Sequence, residues 1–124
     1  MSVIGMGGYF FRAKDPPMLK AWYRDHLGVG GGCRVDEHGQ SNEWLWFPEG
    51  GPIVFEPFKQ DSDYFTADRS AMVSLRVCDL DGRLADLRAA RIEVTKEDSM
   101  DGVGRFARIH DPEGNPIELW EPSS

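Results

Sequence analysis

The feature that most constrains the fold is a repeated order of predicted secondary-structure elements. A strand, an amphipathic helix and three further strands are predicted within residues 6–58, and the same order returns within residues 72–121. Aligning Arg12 with Arg76 gives a constant offset of 64 residues. Without gaps, the same offset pairs Asp15 with Asp79, Ala21 with Ala85 and Arg24 with Arg88. The repeat predicts two βαβββ modules in one chain.

The two modules predict an α+β fold and divide the chain into three parts. Module 1 covers about residues 1–58, module 2 covers about residues 71–124, and a segment at about 59–70 joins them. This segment has the polar composition of a linker or lid, although Tyr64 and Phe65 within it need a surface to pack on. A chain of 124 residues is long enough for one domain with a substantial core.

Local signals set the expected bounds of the helices and strands. Asp15 is a favourable N-cap before two prolines, and Gly28 is a favourable stop in the left-handed conformation. Between them, apolar residues recur at helical spacing: Leu19, Trp22, Tyr23 and Leu27. Asp79 is the corresponding N-cap of the second helix, whose apolar face carries Leu80, Leu84 and Leu87. The predicted strands are residues 6–12, 33–37, 43–47 and 53–58 in module 1, and residues 72–77, 94–96, 106–110 and 116–121 in module 2.

The last two strands form a predicted hairpin around the turn at residues 111–115. Pro112 presets φ for this turn, and Gly114 can adopt the left-handed conformation that closes it. On the final strand, side-chain alternation places Glu118 and Trp120 on one face. The opposite face carries Ile117, Leu119 and Glu121. Glu118 is therefore an acid among bulky neighbours and the first candidate for a functional role.

The charge balance excludes several classes of partner. With 14 Lys and Arg against 21 Asp and Glu, the chain lacks the basic surface that nucleic acid or an anionic membrane requires. No run approaches the roughly 20 apolar residues of a membrane span, and the N-terminus has no signal-peptide pattern. We therefore expect a cytoplasmic protein with a small-molecule or protein partner. Cys33 and Cys78 lie in β-rich surroundings, which favours buried or half-buried structural thiols.

Three stretches carry a resemblance to a known family. They are Phe-Phe-Arg-Ala-Lys-Asp at 10–15, Trp-Tyr-Arg-Asp-His-Leu-Gly at 22–28 and Asp-Pro-Glu-Gly-Asn-Pro-Ile-Glu-Leu-Trp-Glu-Pro at 111–122. With the paired βαβββ modules, they resemble the vicinal oxygen chelate superfamily, which includes glyoxalase I, bleomycin and fosfomycin resistance proteins and extradiol dioxygenases. The resemblance implies one curved mixed β-sheet around a concave cavity. It specifies the fold more closely than the activity, because these chemistries share one scaffold.

In metal-dependent members of this family, His and Glu side chains from the first and last strands of each module hold a divalent metal. Carried onto this sequence, Glu118 matches one such position, whereas the first-strand positions fall on Gly8 and Met72, which offer no suitable ligand. For the fourth position the repeat offset gives Val54, and Glu56 lies two residues further along the same predicted face. The resemblance thus implies Glu118 and Glu56 as metal ligands, with either no metal or a weakly bound divalent metal.

A second interpretation of Glu118 requires no metal. The carboxylate could pair with Arg12 or Arg76, which fall on strand faces close to the metal positions.

We predict that the residues contacting a ligand in the cavity are Phe10, Arg12, Met72, Arg76 and Trp120. The aromatic residues of module 1 are expected mainly in the core, with some on the concave face: Trp44, Trp46, Phe47, Phe55 and Phe58.

The three histidines fall outside the ligand positions that the resemblance implies. His26 is expected on the first helix and His38 in a hairpin turn. Only His110, just before the last turn, is close enough to the sheet rim for a role in proton transfer.

Two classes of function follow from this site. The first is a metal-poor protein that holds an aromatic or otherwise planar small molecule in the cavity, as drug-sequestering members of the family do. The second is a metal-dependent lyase or dioxygenase with Glu118 in the catalytic site, completed by water, substrate oxygens or a partner subunit. The missing ligands favour the first class.

We also predict a homodimer. Members of the family that the chain resembles bury sheet edges between modules, and this small chain has several large apolar side chains to cover: Trp22, Tyr23, Trp44 and Trp46.

Overall fold

The chain forms two helices and a four-stranded sheet in the computed structural model, which describes residues 2–30, 45–51 and 53–123. The elements are α1 (Pro16–Leu27), β1 (Val73–Arg76), α2 (Leu80–Ala89), β2 (Lys96–Met100), β3 (Gly104–His110) and β4 (Pro116–Pro122). The strand order is β1-β4-β3-β2, with β1 parallel to β4 and the other pairs antiparallel. The α+β class is confirmed, and the sheet is mixed and open.

Both helices begin at the aspartates that the sequence predicted. The Asp15 carboxylate accepts a hydrogen bond from Met18 N at 3.2 Å, and the Asp79 carboxylate accepts one from Gly82 N at 3.2 Å. The two donors are related by the same 64-residue offset as the two caps, so the repeat holds at the level of single hydrogen bonds. α1 ends at Gly28, which is left-handed with φ 65°, as predicted.

The hydrophobic core lies between the helices and one face of the sheet. Its buried members are Leu75, Leu80, Leu84, Leu87, Ala107, Ile109, Ile117 and Leu119, and the α1 residues Trp22, Tyr23 and Leu27 pack against them. Because strand side chains alternate, the residues between these core positions project from the other side of the sheet. This second side carries Glu118, as predicted, and is called the Glu118 face below.

Module 1 contributes no strand among the described residues, so the predictions of strands at 6–12 and 53–58 are wrong. Both segments lie outside the sheet, and their large apolar side chains are mostly exposed. A strand is stable only when its backbone groups pair with a neighbour, and Gly7, Gly8 and Pro57 weaken such pairing. Residues 45–47 also form no strand, and the predicted strand at 33–37 lies outside the described residues, as do residues 43 and 44.

Three further expectations need correction. The strand predicted at 94–96 is β2 at Lys96–Met100, because pairing with β3 overrides the low β-propensity of its Glu, Asp and Ser residues. Cys78 is exposed and not buried, since it lies in the connection between β1 and α2, while Cys33 is outside the described residues. The aromatic residues expected in the core are exposed where the structure describes them, because their segments do not join the sheet: Trp46, Phe47, Phe55 and Phe58. Trp44 lies outside the described residues.

None of the helices in the described part of the chain could cross a membrane. The longer of the two, α1, has 12 residues, and neither is sufficiently long and apolar.

Candidate functional site

Four polar side chains form a row across the Glu118 face, with one residue on each strand. The register places Ser74 of β1 beside Glu118 of β4, Glu118 beside Arg108 of β3, and Arg108 beside Lys96 of β2. Directly opposed residues have Cβ atoms about 5 Å apart, so adjacent members of the row can interact. The sheet thus aligns a hydroxyl, a carboxylate, a guanidinium and an ammonium group.

Glu118 is buried, with 7% of its surface exposed, and both of its oxygens accept hydrogen bonds. The Tyr64 hydroxyl donates to Oε2 at 2.5 Å, and the Ser74 hydroxyl donates to Oε1 at 3.0 Å. Nη2 of Arg108 lies 3.9 Å from Oε2 and provides the compensating charge. These partners make burial of the carboxylate tolerable, because an unpaired buried charge is strongly unfavourable.

Arg108 is also buried, but its guanidinium is only partly satisfied. Its Nη1 donates to the backbone oxygen of Tyr64 at 3.0 Å. Its Nε–H is buried and has no hydrogen-bond partner among the residues that the structure describes. Leaving a buried donor unpaired typically costs about 1–3 kcal/mol. Arg108 therefore retains a donor for an additional oxygen atom at the site.

Tyr64 covers the polar row from the segment that joins the modules. The centre of its ring lies 4.5 Å from Nζ of Lys96 and 5.0 Å from Cζ of Arg108, both within cation–π range. Phe58 contacts the same ring edge-on, with centroids 5.4 Å apart. Burial and the hydrogen bond to Glu118 raise the pKa of Tyr64 to about 12. The hydroxyl therefore remains a donor at neutral pH.

An aromatic pair lies beside the polar row on the Glu118 face. The register places Phe106 next to Trp120 and Trp120 next to Arg76. The rings of Phe106 and Trp120 stack with an interplanar angle of 6° and centroids 6.2 Å apart. The indole N–H of Trp120 donates to the backbone oxygen of Val103 at 3.1 Å, which fixes the ring. The face therefore combines flat apolar surface with a few charged groups, a composition typical of small-molecule sites.

The structure places the predicted site residues in two groups. Arg76 and Trp120 lie on the Glu118 face of neighbouring strands, and Met72 lies two residues before Ser74. In contrast, Phe10 is 93% exposed and Arg12 is exposed, and neither belongs to the sheet.

The arginine beside Glu118 is Arg108, so the proposed pairing with Arg12 or Arg76 is wrong. Arg108 was not among the predicted site residues, although the predicted hairpin contained the signal. If the residues on either side of the turn are paired, position 108 falls directly across from 118. Tyr64 gave no comparable signal as a partner of Glu118, because 54 residues separate them.

The residues at the implied metal positions do not fit a tightly held divalent metal. Gly8 has no side chain, Met72 offers only a thioether, and Glu56 is exposed. The oxygens of Glu118 are already hydrogen-bonded to two hydroxyl groups. Among residues 2–30, 45–51 and 53–123, no three His, Cys, Asp or Glu side chains come together in a way that could hold a metal ion.

The turn at 111–115 has a structural role that explains much of its sequence. Both oxygens of buried Asp111 accept hydrogen bonds: Oδ1 from the backbone N–H groups of Glu113 and Asn115, and Oδ2 from the Asn115 amide and the Tyr23 hydroxyl. Burial and the bond to Asp111 raise the pKa of Tyr23 well above its ordinary value. Asp111 therefore holds both the turn and α1.

The same turn also anchors the segment that carries Tyr64. Nη2 of Arg69 donates to the backbone oxygen of Glu113 at 2.7 Å, and its Nε donates to the Asn115 side chain at 3.2 Å. The Glu113 carboxylate accepts from the backbone N–H groups of Lys14 and Asp15. The approach to α1 and the segment at 59–70 are thus attached to the same turn.

Two of the shallow depressions on the described part of the chain do not reach the buried charges. One of ≈ 310 Å³ is lined by residues that include Trp22, Glu93 and His110, which places His110 at the rim of the sheet. The other, of ≈ 530 Å³, is lined by residues 58, 59 and 61–64. Neither lining includes Glu118 or Arg108, although Tyr64, which is hydrogen-bonded to Glu118, lines the second depression. His26 lies on α1 with its ring beside Trp22, and His38 is outside the described residues.

The sequence matches the family model of the Glyoxalase/Bleomycin resistance protein/Dioxygenase superfamily over residues 5–119. The chain belongs to this superfamily. Its fold is shared with solved superfamily structures, although comparison with curated proteins gives no match. The four-stranded open sheet described here corresponds to half of the two-module arrangement.

Three solved structures illustrate the similarity. TnmS3, an antibiotic binding protein from Streptomyces sp. CB03234, is 24% identical, with a TM-score of 0.64 and coverage of 99% of both chains. A glyoxylase/bleomycin resistance protein/dioxygenase domain from Frankia sp. EAN1pec is 18% identical, with a TM-score of 0.60 and coverage of 98% of this chain and 100% of the other. Lactoylglutathione lyase from Agrobacterium tumefaciens is 23% identical, with a TM-score of 0.52 and coverage of 88% and 87%. At these identities the likeness establishes the fold alone.

Proposed function

We propose that this superfamily member binds a small organic molecule on the Glu118 face and that its metal site is degenerate. The observation that carries the proposal is the buried Glu118–Arg108 pair beside the stacked rings of Phe106 and Trp120. Few polar groups on a largely flat aromatic surface orient a ligand, while burial of its rings supplies the affinity. The likeness to the antibiotic binding protein TnmS3 is in keeping with this class of ligand.

The oxygens of Glu118 support the metal-poor form of the proposal. A catalytic divalent metal usually has about three protein ligands and an open position. Here the implied positions offer Glu118, whose oxygens accept from two hydroxyl groups, and Glu56, which is exposed. Such a pair would bind a divalent ion weakly.

A metal-dependent enzyme of the lyase or dioxygenase type is the alternative. It is favoured by the position of Glu118, which the resemblance identifies with a metal ligand, and by the likeness in fold to lactoylglutathione lyase. In that case substrate oxygens, water or a partner subunit would complete the site.

Elemental analysis separates the two functions. The protein is purified without chelators and without a nickel affinity tag, and is compared with its Glu118→Gln variant. We expect no stoichiometric zinc, nickel, manganese or iron in either protein, and altered binding of aromatic compounds by the variant. Stoichiometric metal in the native protein that is lost in Glu118→Gln would instead establish the enzyme alternative.

We also propose that the protein is a homodimer. Large apolar side chains are exposed in the segments at 3–11 and 53–58, with Ile4 at 101%, Phe10 at 93% and Phe55 at 81% exposure. Such apolar surface is typical of protein interfaces, and β1 is an edge of the sheet among the described residues. A second copy of the chain would cover both features.

Light scattering at micromolar concentration tests the dimer. The native protein should have twice the monomer mass, and Ile4→Asp with Phe55→Asp should shift it toward monomer because a charge at the interface is unfavourable. Met100→Asp is the matched control, since Met100 is 60% exposed but lies on β2 at the other edge. A native protein that is only monomeric at this concentration contradicts the proposal.

A further inference from the structure

We propose that Tyr64 occupies the place of a ligand ring, and that the ligand is a hydroxylated aromatic compound which displaces it. This inference rests on the proposed function and specifies its ligand. The Glu118 carboxylate accepts the phenolic hydrogen bond, Lys96 and Arg108 contact the ring, and Phe58 packs against its edge. These are the contacts through which a protein would recognise a phenol.

The side chains that contact the Tyr64 ring lie on the sheet, whereas Tyr64 itself does not. Lys96, Arg108 and Glu118 project from three neighbouring strands of the sheet, so their spacing is fixed by backbone pairing. Tyr64 belongs to a segment that forms neither helix nor strand. The segment is attached to the sheet through the Tyr64 backbone oxygen and to the turn at 111–115 through Arg69. We therefore expect a ligand to displace the side chain of Tyr64, while the groups that recognise the ring remain in position.

The buried Nε–H of Arg108 indicates a second feature of the ligand. Nη2 of the same guanidinium and the Tyr64 hydroxyl both approach Oε2 of Glu118, at 3.9 Å and 2.5 Å. A ligand oxygen next to its hydroxyl would thus lie within reach of Arg108 and could accept from the Nε–H, to which no group in the described part of the chain is hydrogen-bonded. The ligand class is therefore an aromatic hydroxyl compound with an adjacent oxygen acceptor.

The local charge favours a negatively charged acceptor on that ligand. The row contains Lys96 and Arg108 against Glu118, so it carries one net positive charge, whereas the whole chain has a net charge of -7. A carboxylate or an ionised hydroxyl would therefore complement the row better than a second cation would. A wholly apolar ring system would leave Oε2 of Glu118 without the hydroxyl hydrogen bond that Tyr64 donates.

Three naphthalene probes test the proposed ligand chemistry: naphthalene, 2-naphthol and 3-hydroxy-2-naphthoate. Their binding is measured by calorimetry with the native protein and with Tyr64→Ala, which vacates the ring position, and Tyr64→Phe, which removes only the hydroxyl. We expect affinity to rise in the stated order of probes. We expect 2-naphthol to bind Tyr64→Ala at least about tenfold more tightly than the native protein, because it no longer competes for Glu118.

Tyr23→Phe is the matched control, because Tyr23 also donates its hydroxyl to a buried carboxylate, Asp111, outside the proposed site. Its probe affinities should equal those of the native protein. Equal affinity of 2-naphthol for native protein, Tyr64→Ala and Tyr64→Phe, or equal binding of naphthalene and 2-naphthol, would overturn this inference while leaving an aromatic binding function intact. If no probe binds any folded variant, the proposed ligand class is overturned. The proposed function is then tested separately, by the metal analysis and by a wider panel of compounds.

Discussion

At the scale of single residues, two ion pairs differ in both length and burial. Arg88 and Glu97 lie 2.8 Å apart, yet both side chains are about half exposed. Arg108 and Glu118 lie 3.9 Å apart and are 7% and 10% exposed. Water screens the shorter pair, whereas the longer pair lies in a medium of low polarizability where each charge depends on its partner. Burial, and not distance, should therefore determine how much each pair affects the free energy of unfolding when one partner is removed.

Glu118→Gln should lower the free energy of unfolding by about 3 kcal/mol, because it leaves the charge of Arg108 buried without its partner. Urea denaturation measures this change. Glu97→Gln is the matched control and should cost less than about 1 kcal/mol, because its pair with Arg88 is exposed. Equal losses of free energy of unfolding in the two variants would show that burial does not make the Arg108–Glu118 pair more stabilising than the exposed pair.

Tyr64 should make stability fall with pH in the alkaline range. Its pKa is about 10 in an unfolded chain and about 12 in the fold, so its contribution is complete below pH 10 and is lost as pH rises toward 12. Urea denaturation across this range should therefore show a shallower decline for Tyr64→Phe than for the native protein. Identical slopes would mean that burial and the hydrogen bond to Glu118 do not raise the pKa of Tyr64 in solution.

At the scale of elements, the helices were predictable because their signals are local. Each aspartate cap, the proline pair and Gly28 act within a few residues of the helix end that they define. The strands of module 2 were predicted with partial accuracy: alternation located β3 and β4, but the strand predicted at 94–96 shares only Lys96 with β2. For a strand such as Lys96–Met100, the neighbouring strand supplies the stability that its own residues lack.

The turn at 111–115 should be the most sensitive connection in the chain. Asp111→Ala removes four hydrogen bonds, from Tyr23, Glu113 and two groups of Asn115, and should lower the free energy of unfolding by about 3 kcal/mol or more. Asp101→Ala is the control in the exposed turn between β2 and β3 and should change stability by less than about 0.5 kcal/mol. Thermal unfolding measures both. A loss for Asp111→Ala no larger than the control would contradict the role assigned to this turn.

At the scale of the whole molecule, sequence patterns located Glu118 but could not assemble its surroundings. Alternation assigned Glu118 and Trp120 to a face, and the hairpin register determined which residue of β3 lies opposite. The approach of Tyr64 depends on the path of the segment between the modules, which no periodic pattern encodes. The exposure of Phe10 and Phe55 likewise depends on packing and not on residue type.

Chemical-shift mapping of isotopically labelled protein with a panel of fused aromatic compounds tests the central claim that the Glu118 face binds a small organic molecule. We predict that binding compounds shift the resonances of Lys96, Arg108 and Glu118 and leave those of Arg83 and Asp86, on the exposed side of α2, unchanged. Shifts confined to other surfaces, such as the depression lined by Trp22 and His110, or no shifts with any compound, would contradict the claim.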